Sequence, residues 1–166
     1  MHAPRSPRRS APLLPLATLA ASLAAGCAVQ NIPNTDVPDT HENRTAVEFC
    51  EEYRHAVEAR SPADLLTLVS DRYYDDNGTP SSDDDLDYDD LRERLPGWAA
   101  ELIDVRYEIR YRRVTFRGDR VLVDYTYTGS FKIRGPDDEE RWERRLRDNR
   151  LELVYEGGEL RILSGL

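Results

Sequence analysis

Apolar and polar residues alternate along the last third of the chain, as expected of half-buried strands. From Val105 to Tyr111 every second residue is apolar, and the intervening residues are charged. The turn-forming pairs Gly118-Asp119 and Gly157-Gly158 separate such segments and are typical of hairpins. Four consecutive antiparallel strands are therefore predicted, over residues 105–117, 120–134, 141–155 and 159–164.

The alternation changes phase inside the first predicted strand. Val114 and Phe116 are out of step with the apolar set that ends at Tyr111. One extra residue in the strand restores the phase, so the pattern predicts a β-bulge near Arg112-Arg113. Because a bulge bends its strand, we expect a curved sheet.

Upstream of the sheet, apolar residues recur at helical spacing. A first helix is predicted over about residues 40–60, with Asp39 as its cap. Ser61 caps a short second helix that has proline in its first turn. A third helix begins near residue 84, and Pro96 is expected to end or kink it. These helices are predicted to cover one face of the sheet.

The beginning of the chain has the composition of a processing segment. Three arginines precede an apolar stretch, Leu13 to Ala25, that is too short to span a bilayer permanently. The segment Leu23-Ala24-Ala25-Gly26-Cys27 resembles the lipobox of bacterial lipoproteins, with Ala24 where leucine is common. The resemblance implies cleavage before Cys27, acylation of its thiol and, with Ala28 following, attachment to the outer membrane facing the periplasm. The alternative is an ordinary secretory signal with an incidental cysteine.

Three regions follow from this interpretation. We expect a signal peptide over residues 1–26, a lipidated cysteine with a tether over 27–38, and one folded domain over 39–166. The tether is predicted because this stretch is rich in proline and polar residues and shows no hydrophobic period. Cys50 lies on the apolar side of the first helix and is predicted to be a buried thiol.

Composition and charge disfavour several functions. The chain has 23 basic and 32 acidic residues, a net charge of −9 that repels phosphate backbones and argues against nucleic-acid binding. Acidic residues concentrate between residues 71 and 90, but Tyr73 and Tyr88 stand where a calcium loop needs a ligand and a glycine. A solvated acidic loop is therefore favoured, with the calcium alternative left open. No metal site and no cofactor are predicted.

The order of these elements resembles the nuclear transport factor 2 superfamily, which includes SnoaL-like cyclases and ketosteroid isomerase and is also described as cystatin-like. The closing run, residues 151–166, is similar to the terminal hairpin of many small members. The resemblance implies an α+β fold, in which N-terminal helices pack on a curved antiparallel sheet that forms a cone-like pocket. Such a pocket has room for a small apolar ligand.

Candidate pocket residues follow from this resemblance, which implies a lining that includes Tyr107, Tyr111, Tyr125 and Tyr127. Enzymes of the superfamily use a base carboxylate or a His-Asp pair inside the pocket. The carboxylates available for acid-base chemistry here are Asp124 and Asp148. Asp124 alternates with apolar neighbours and is predicted to point away from their face, whereas Asp148 lies among arginines, as in a surface row of ion pairs. No catalytic residue is assigned.

We therefore predict a lipid-anchored cell-envelope protein whose domain binds a ligand or a partner without catalysis. One alternative is a small-molecule isomerase or hydratase-like enzyme that uses the conical pocket. Another is a structural or assembly lipoprotein that forms a homodimer, or binds an envelope protein, through its sheet. Arg106, Arg110 and Arg112 alternate on one face and suit such an interface. The other interpretation of these arginines is a solvated face with weak cross-strand ion pairs.

Overall fold

The computed structural model describes residues 30–135 and 137–166, and in it three helices cover one face of a four-stranded antiparallel sheet. The helices are α1 (His41–Ala59), α2 (Pro62–Leu68) and α3 (Tyr88–Glu101). The large sheet contains β3 (Leu102–Arg117), β4 (Arg120–Arg134), β5 (Glu140–Glu156) and β6 (Glu159–Ser164), adjacent in chain order. A two-stranded sheet, β1 (Tyr74–Asp75) with β2 (Leu86–Asp87), lies before α3.

The predicted signal peptide and Cys27 lie outside the described residues. Within the described part of the chain, none of the helices combines the length and hydrophobicity needed to cross a bilayer.

The two N-terminal helices begin at side-chain caps. Ser61 accepts a hydrogen bond from the Asp64 N–H and Pro62 opens α2, as predicted. The cap of α1 is Thr40, whose hydroxyl accepts a hydrogen bond from the Asn43 N–H (3.2 Å), and the expectation of Asp39 was wrong. Asp39 is instead paired with the Arg44 guanidinium.

Helix α3 continues through Pro96 to Glu101, so it does not end near Leu95, and the alternative of a kink at the proline stays a prediction. Proline removes one backbone donor and so leaves the carbonyl of Arg92 without its helical partner. Both residues are exposed, and water can therefore bond that carbonyl. Leu91 and Trp98, which pack against the core on either side of the proline, hold the helix in place.

The large sheet has the predicted strands and the predicted bulge. Its register shifts between Tyr111 and Arg113, so that Tyr111 pairs with Tyr125 and Arg113 pairs with Asp124. A second shift, between Leu102 and Asp104, has no counterpart in the sequence prediction. With two shifts in one strand, the sheet curves around the helices, and the α+β architecture expected from the sequence is confirmed.

Residues 30–39 form a packed loop, here called the N-terminal clip, where a tether was predicted over 27–38. The Asp39 N–H donates to the Gln30 carbonyl (2.7 Å) and the Ile32 N–H donates to the Val37 carbonyl (2.9 Å). Val37 has no exposed surface. The folded part of the chain therefore begins before residue 39. The sequence did not reveal this because Ile32 and Val37, the two apolar residues that are buried here, form no hydrophobic period.

The clip also covers part of the free edge of β3. The Asp36 N–H donates to the Tyr111 carbonyl (2.9 Å) on that edge. Farther along, the Glu58 carboxylate accepts a hydrogen bond from the Tyr107 N–H (2.9 Å), and the Arg60 guanidinium donates to the Leu102 carbonyl (2.7 Å). These contacts satisfy backbone groups that would otherwise be open to pairing with another strand.

Replacing Val37 by alanine tests the packing of the clip. We expect Val37→Ala to lower the free energy of unfolding by about 2 kcal/mol, because a fully buried side chain loses two methyl groups. Denaturant unfolding measures the change. Gln30→Ala, at an exposed position of the same segment, is the matched control and should have little effect. Equal stabilities for the two variants would show that the segment is a free tether.

Candidate functional site

A cavity of ≈ 450 Å³ lies between the inner face of the large sheet and the helices. Helix α1 contributes to its wall only from its second half, and α3 closes one side. Most of the wall is apolar or aromatic, and includes Tyr53, Val57, Leu65, Leu91, Leu95, Trp98, Leu102, Tyr107, Tyr127, Phe131 and Ile133. A volume of this size suits a small organic molecule.

The position of the cavity follows from the inward-facing residues of β5. Leu151 and Leu153, which pair with the inward Val123 and Val121, are fully buried and fill the core at one end of the sheet. Toward the other end, the residues on the same face are polar or charged, namely Glu143, Arg145, Arg147 and Asn149. Such side chains do not close an apolar core, and a cavity is left where they begin.

The four tyrosines predicted to line the pocket occupy different places. Tyr107 and Tyr127 lie on the cavity wall, with their rings stacked at a centroid distance of 5.0 Å. Tyr111 and Tyr125 are buried in the core, and neither belongs to the wall. The Tyr111 hydroxyl donates to the Glu51 carboxylate (2.7 Å), which holds this tyrosine against α1.

Three tyrosine hydroxyl groups meet where α1 crosses the sheet at the cavity. Tyr53, Tyr107 and Tyr125 are near neighbours: the rings of Tyr53 and Tyr107 meet edge to face at a centroid distance of 6.3 Å, and each of the three hydroxyls perturbs the pKa of the other two. The amide of Asn149, another wall residue, donates to the Tyr125 hydroxyl (3.1 Å). We call these four side chains the hydroxyl cluster. Three of its members, Tyr53, Tyr107 and Asn149, bring polar atoms to an otherwise largely apolar wall, whereas Tyr125 is buried outside the wall.

Burial keeps the tyrosines of the hydroxyl cluster protonated. Loss of contact with water raises the pKa of Tyr53, Tyr107 and Tyr125 well above the ordinary value, and their mutual proximity contributes to the shift. Each hydroxyl therefore keeps its proton at neutral pH and acts as both hydrogen-bond donor and acceptor.

Charged residues surround the cavity at one end. Glu101, Glu143 and Arg145 belong to its lining. The Arg145 guanidinium lies 5.3 Å from the centroid of the Phe131 ring and 3.4 Å from the Glu143 carboxylate. A hydrogen bond from Arg141 holds the pKa of Glu143 below its usual value, so this carboxylate is ionised at neutral pH.

The two carboxylates considered for acid-base chemistry lie outside the cavity. Burial alone would raise the pKa of Asp124, but hydrogen bonds from Arg150 (2.6 Å) and Arg113 (3.0 Å) outweigh it and lower the pKa. Asp148 is exposed and accepts a hydrogen bond from the Thr126 hydroxyl (2.6 Å). Neither residue is placed to act on a molecule in the cavity.

The arginines predicted to form an interface have two environments. Asp36 of the clip accepts hydrogen bonds from Arg110 (2.7 Å) and Arg112 (2.9 Å), and these bonds lower its pKa to about 2. Arg106 instead lies over the Trp142 ring, 5.0 Å from its centroid. Two of the three arginines therefore share one carboxylate of the same chain.

Carboxylates of the acidic segment accept hydrogen bonds from backbone N–H groups, both within the segment and near the end of the chain. Asp75 accepts hydrogen bonds from the N–H groups of Asn77 and Gly165, and Asp76 accepts one from the Gly78 N–H. Across residues 30–135 and 137–166, no three His, Cys, Asp or Glu side chains are grouped as a metal site requires.

Cys50 is a free thiol that is fully buried. Burial raises its pKa, and a thiol that keeps its proton in an apolar site is unreactive.

Several wall residues were missed by reasoning from the sequence. Asn149, Arg145 and Glu143 lie in the arginine-rich run 141–150, which has no apolar alternation to mark its two faces. Counting back in steps of two from the apolar Leu151 would have placed all three on the inner face. Tyr53 was recognised only as part of the apolar side of α1, and its partners lie on distant strands.

No protein-family model matches the sequence, and no curated protein sequence is similar to it. Several solved structures have a fold similar to that of this chain. A proposed scytalone dehydratase from Novosphingobium aromaticivorans has a TM-score of 0.63 and 11% identity, covering 75% of this chain and 80% of that protein. A proposed aromatic ring hydroxylase from the same organism has a TM-score of 0.61 and 17% identity, covering 77% and 96%.

A third similar structure is a proposed dehydratase of the nuclear transport factor 2-like family from Streptomyces avermitilis. Its TM-score is 0.58 at 14% identity, over 74% of this chain and 92% of that protein. The chain has the nuclear transport factor 2-like fold. At these identities the similarity shows the fold alone.

Proposed function

We propose that this chain is a cell-envelope protein, held to the membrane through acylated Cys27, whose domain binds a small apolar ligand without transforming it. The observation that carries the proposal is a largely apolar cavity whose wall includes Tyr53, Tyr107 and Asn149 of the hydroxyl cluster. Apolar walls supply affinity, and a few polar groups orient a ligand in such a site.

The hydrogen-bonding capacity of the cluster favours a ligand that carries a hydroxyl group. Three tyrosine hydroxyls have three donor hydrogens and six acceptor lone pairs, and the Asn149 amide brings a further donor. Lone pairs remain in excess after the cluster satisfies its own donors. A ligand hydroxyl can donate to one of them, which an aromatic hydrocarbon of the same shape cannot do.

The positions of the carboxylates support binding over catalysis. Two of the similar structures are proposed dehydratases, and a related reaction here would require a general base in the cavity. Asp124 and Asp148 are on the other face of the sheet. Glu143 has a lowered pKa, which weakens it as a base, and Glu101 is exposed to solvent. Among the described residues that line the cavity, neither of the two carboxylates is well suited to the proton abstraction that the isomerase or hydratase-like alternative requires.

The membrane anchor rests on the lipobox resemblance of residues 23–27. Two or three acyl chains on one cysteine suffice for stable attachment, since each buried methylene contributes roughly 0.8 kcal/mol. With Ala28 after the cysteine, the proposed location is the outer membrane, facing the periplasm.

A second candidate function is self-association through the outer face of the sheet. Leu146 is 71% exposed and Trp142 is 44% exposed, on the same face of β5. Arg106 lies over the Trp142 ring on this face. Exposed apolar side chains beside arginine are typical of interface centres, which favours a homodimer.

Paired probes test the ligand proposal. We expect 1-naphthol to bind the domain about fivefold more tightly than naphthalene, because one added hydrogen bond contributes about 1 kcal/mol. Tyr107→Phe should remove most of this preference, as measured by fluorescence titration with both probes. Both probes have nearly the same shape, so a change in cavity shape alters the two affinities alike. The ratio of the two affinities within one variant therefore reports the hydrogen bond.

The matched control for this titration is Tyr155→Phe, at an exposed tyrosine outside the cavity. It should leave the preference for 1-naphthol unchanged. Equal affinities of the wild-type domain for the two probes would contradict a role of the hydroxyl cluster in binding.

The anchor is tested by replacing its thiol. Cys27→Ser removes the acylation site, so we expect the protein to move from the membrane fraction to the soluble fraction on cell fractionation. Retention of the variant in the membrane fraction would contradict the anchor proposal. Circular dichroism of the variant checks that the domain has folded.

Self-association is tested on the domain without its acyl chains. Light scattering should give the mass of a dimer, and Leu146→Asp should give a monomer because a charge is placed in the interface. Tyr155→Asp, at an exposed apolar site on the inner-face side of β5, should remain dimeric. A wild-type domain that stays monomeric at high concentration rules this candidate out.

A further inference from the structure

The two ends of the N-terminal clip lie next to each other, so the chain leaves the clip close to where it entered it. Its two ends are joined by the hydrogen bond between the Asp39 N–H and the Gln30 carbonyl, and Asn31 forms a bridge with Pro38. Helix α1 follows directly at His41. Gln30 is therefore held beside the first turn of α1.

The clip is fixed to the domain at several points. Val37 is fully buried, and the Asp36 carboxylate is paired with Arg110 and Arg112 of β3. The Asn43 side chain donates to the Pro38 carbonyl (2.8 Å). Pulling the clip away from the sheet would expose an apolar side chain and break these polar contacts, so the clip does not serve as spare length for a tether.

Only two residues separate Cys27 from Gln30. Three residue steps extend the chain by at most about 10 Å. Cys27 can therefore reach no farther than about 10 Å from Gln30, which is held beside the first turn of α1. An anchor of this length holds one end of the domain against the bilayer.

The cavity lies toward the opposite end of the domain. From α1, only Tyr53 and Val57 reach its wall. Tyr53 is 12 residues after His41, about 18 Å along the helix axis. The clip contacts β3 at Tyr111, whereas the cavity wall extends to Leu102 at the start of that strand, about 30 Å away.

We propose that the end of the domain formed by the clip and the first turn of α1 faces the lipid surface, with the cavity directed away from it. The ligand then enters from the aqueous compartment instead of from the bilayer. This orientation rests on the proposed acylation of Cys27. The acidic chain is held at the surface by the length of the anchor and not by charge attraction.

Energy transfer to the membrane tests the orientation. The acylated mature protein, residues 27–166, is placed in phosphatidylcholine vesicles that carry a rhodamine-labelled lipid. A donor dye is attached at His41→Cys, in the first turn of α1, or at Glu139→Cys, in the β4–β5 loop beside the cavity end. Buried Cys50 and acylated Cys27 do not compete for the dye.

The label at residue 41 should transfer energy about threefold more efficiently, because the two sites differ in height by about 30 Å, the length of α1. Insertion of 15 Gly and Ser residues between Val29 and Gln30 should reduce this difference, since such a linker adds about 20 Å of flexible reach. Equal transfer from both labels with the native anchor would overturn the proposed orientation.

Co-sedimentation separates failure of the orientation from failure of the anchor. A protein that sediments with vesicles but shows equal transfer is anchored without the proposed orientation. A wild-type protein that stays in the supernatant, like Cys27→Ser, lacks the anchor, and both proposals are then wrong.

Discussion

The packing of α1 into the curve of the sheet is the contact on which the other features depend. The helix buries Cys50, Tyr53 and Val57 against the inner face, while its Glu51 and Glu58 bind Tyr111 and Tyr107 of β3. Apolar burial supplies most of the stabilisation. The two carboxylates set the position of the helix along the strand, and that position brings Tyr53 to the tyrosines of β3 and β4.

A change of chemistry along β5 turns this packed interior into a cavity. Its inward residues are leucines at positions 151 and 153 and polar or charged side chains from 143 to 149. The first set fills the core, whereas the second stays in contact with water. The hydroxyl cluster lies at the boundary between the two sets. There the Asn149 amide donates to the buried Tyr125 hydroxyl, and the cavity begins. In the function we propose, the same short length of sheet provides both the affinity and the orientation of a ligand.

The bulge in β3 links the cavity to the clip. It shifts the pairing of the strand by one residue after Tyr111, next to Arg110 and Arg112, which both pair with Asp36 of the clip. The clip in turn buries Val37 and holds the start of the domain. The bulge therefore contributes to the curvature of the sheet and lies where the clip covers the free edge of β3.

Local patterns in the sequence determined the strands, the bulge, the cap of α2 and the outward direction of Asp124, because each depends on neighbours within a few residues. Tertiary contacts alone decided the rest. The path of α3 through Pro96 depends on apolar packing to either side, and the clip depends on burial of Val37 between elements distant in sequence. Tyr53 meets Tyr107 and Tyr125 only after the helix has docked, so no spacing in the chain reveals the hydroxyl cluster.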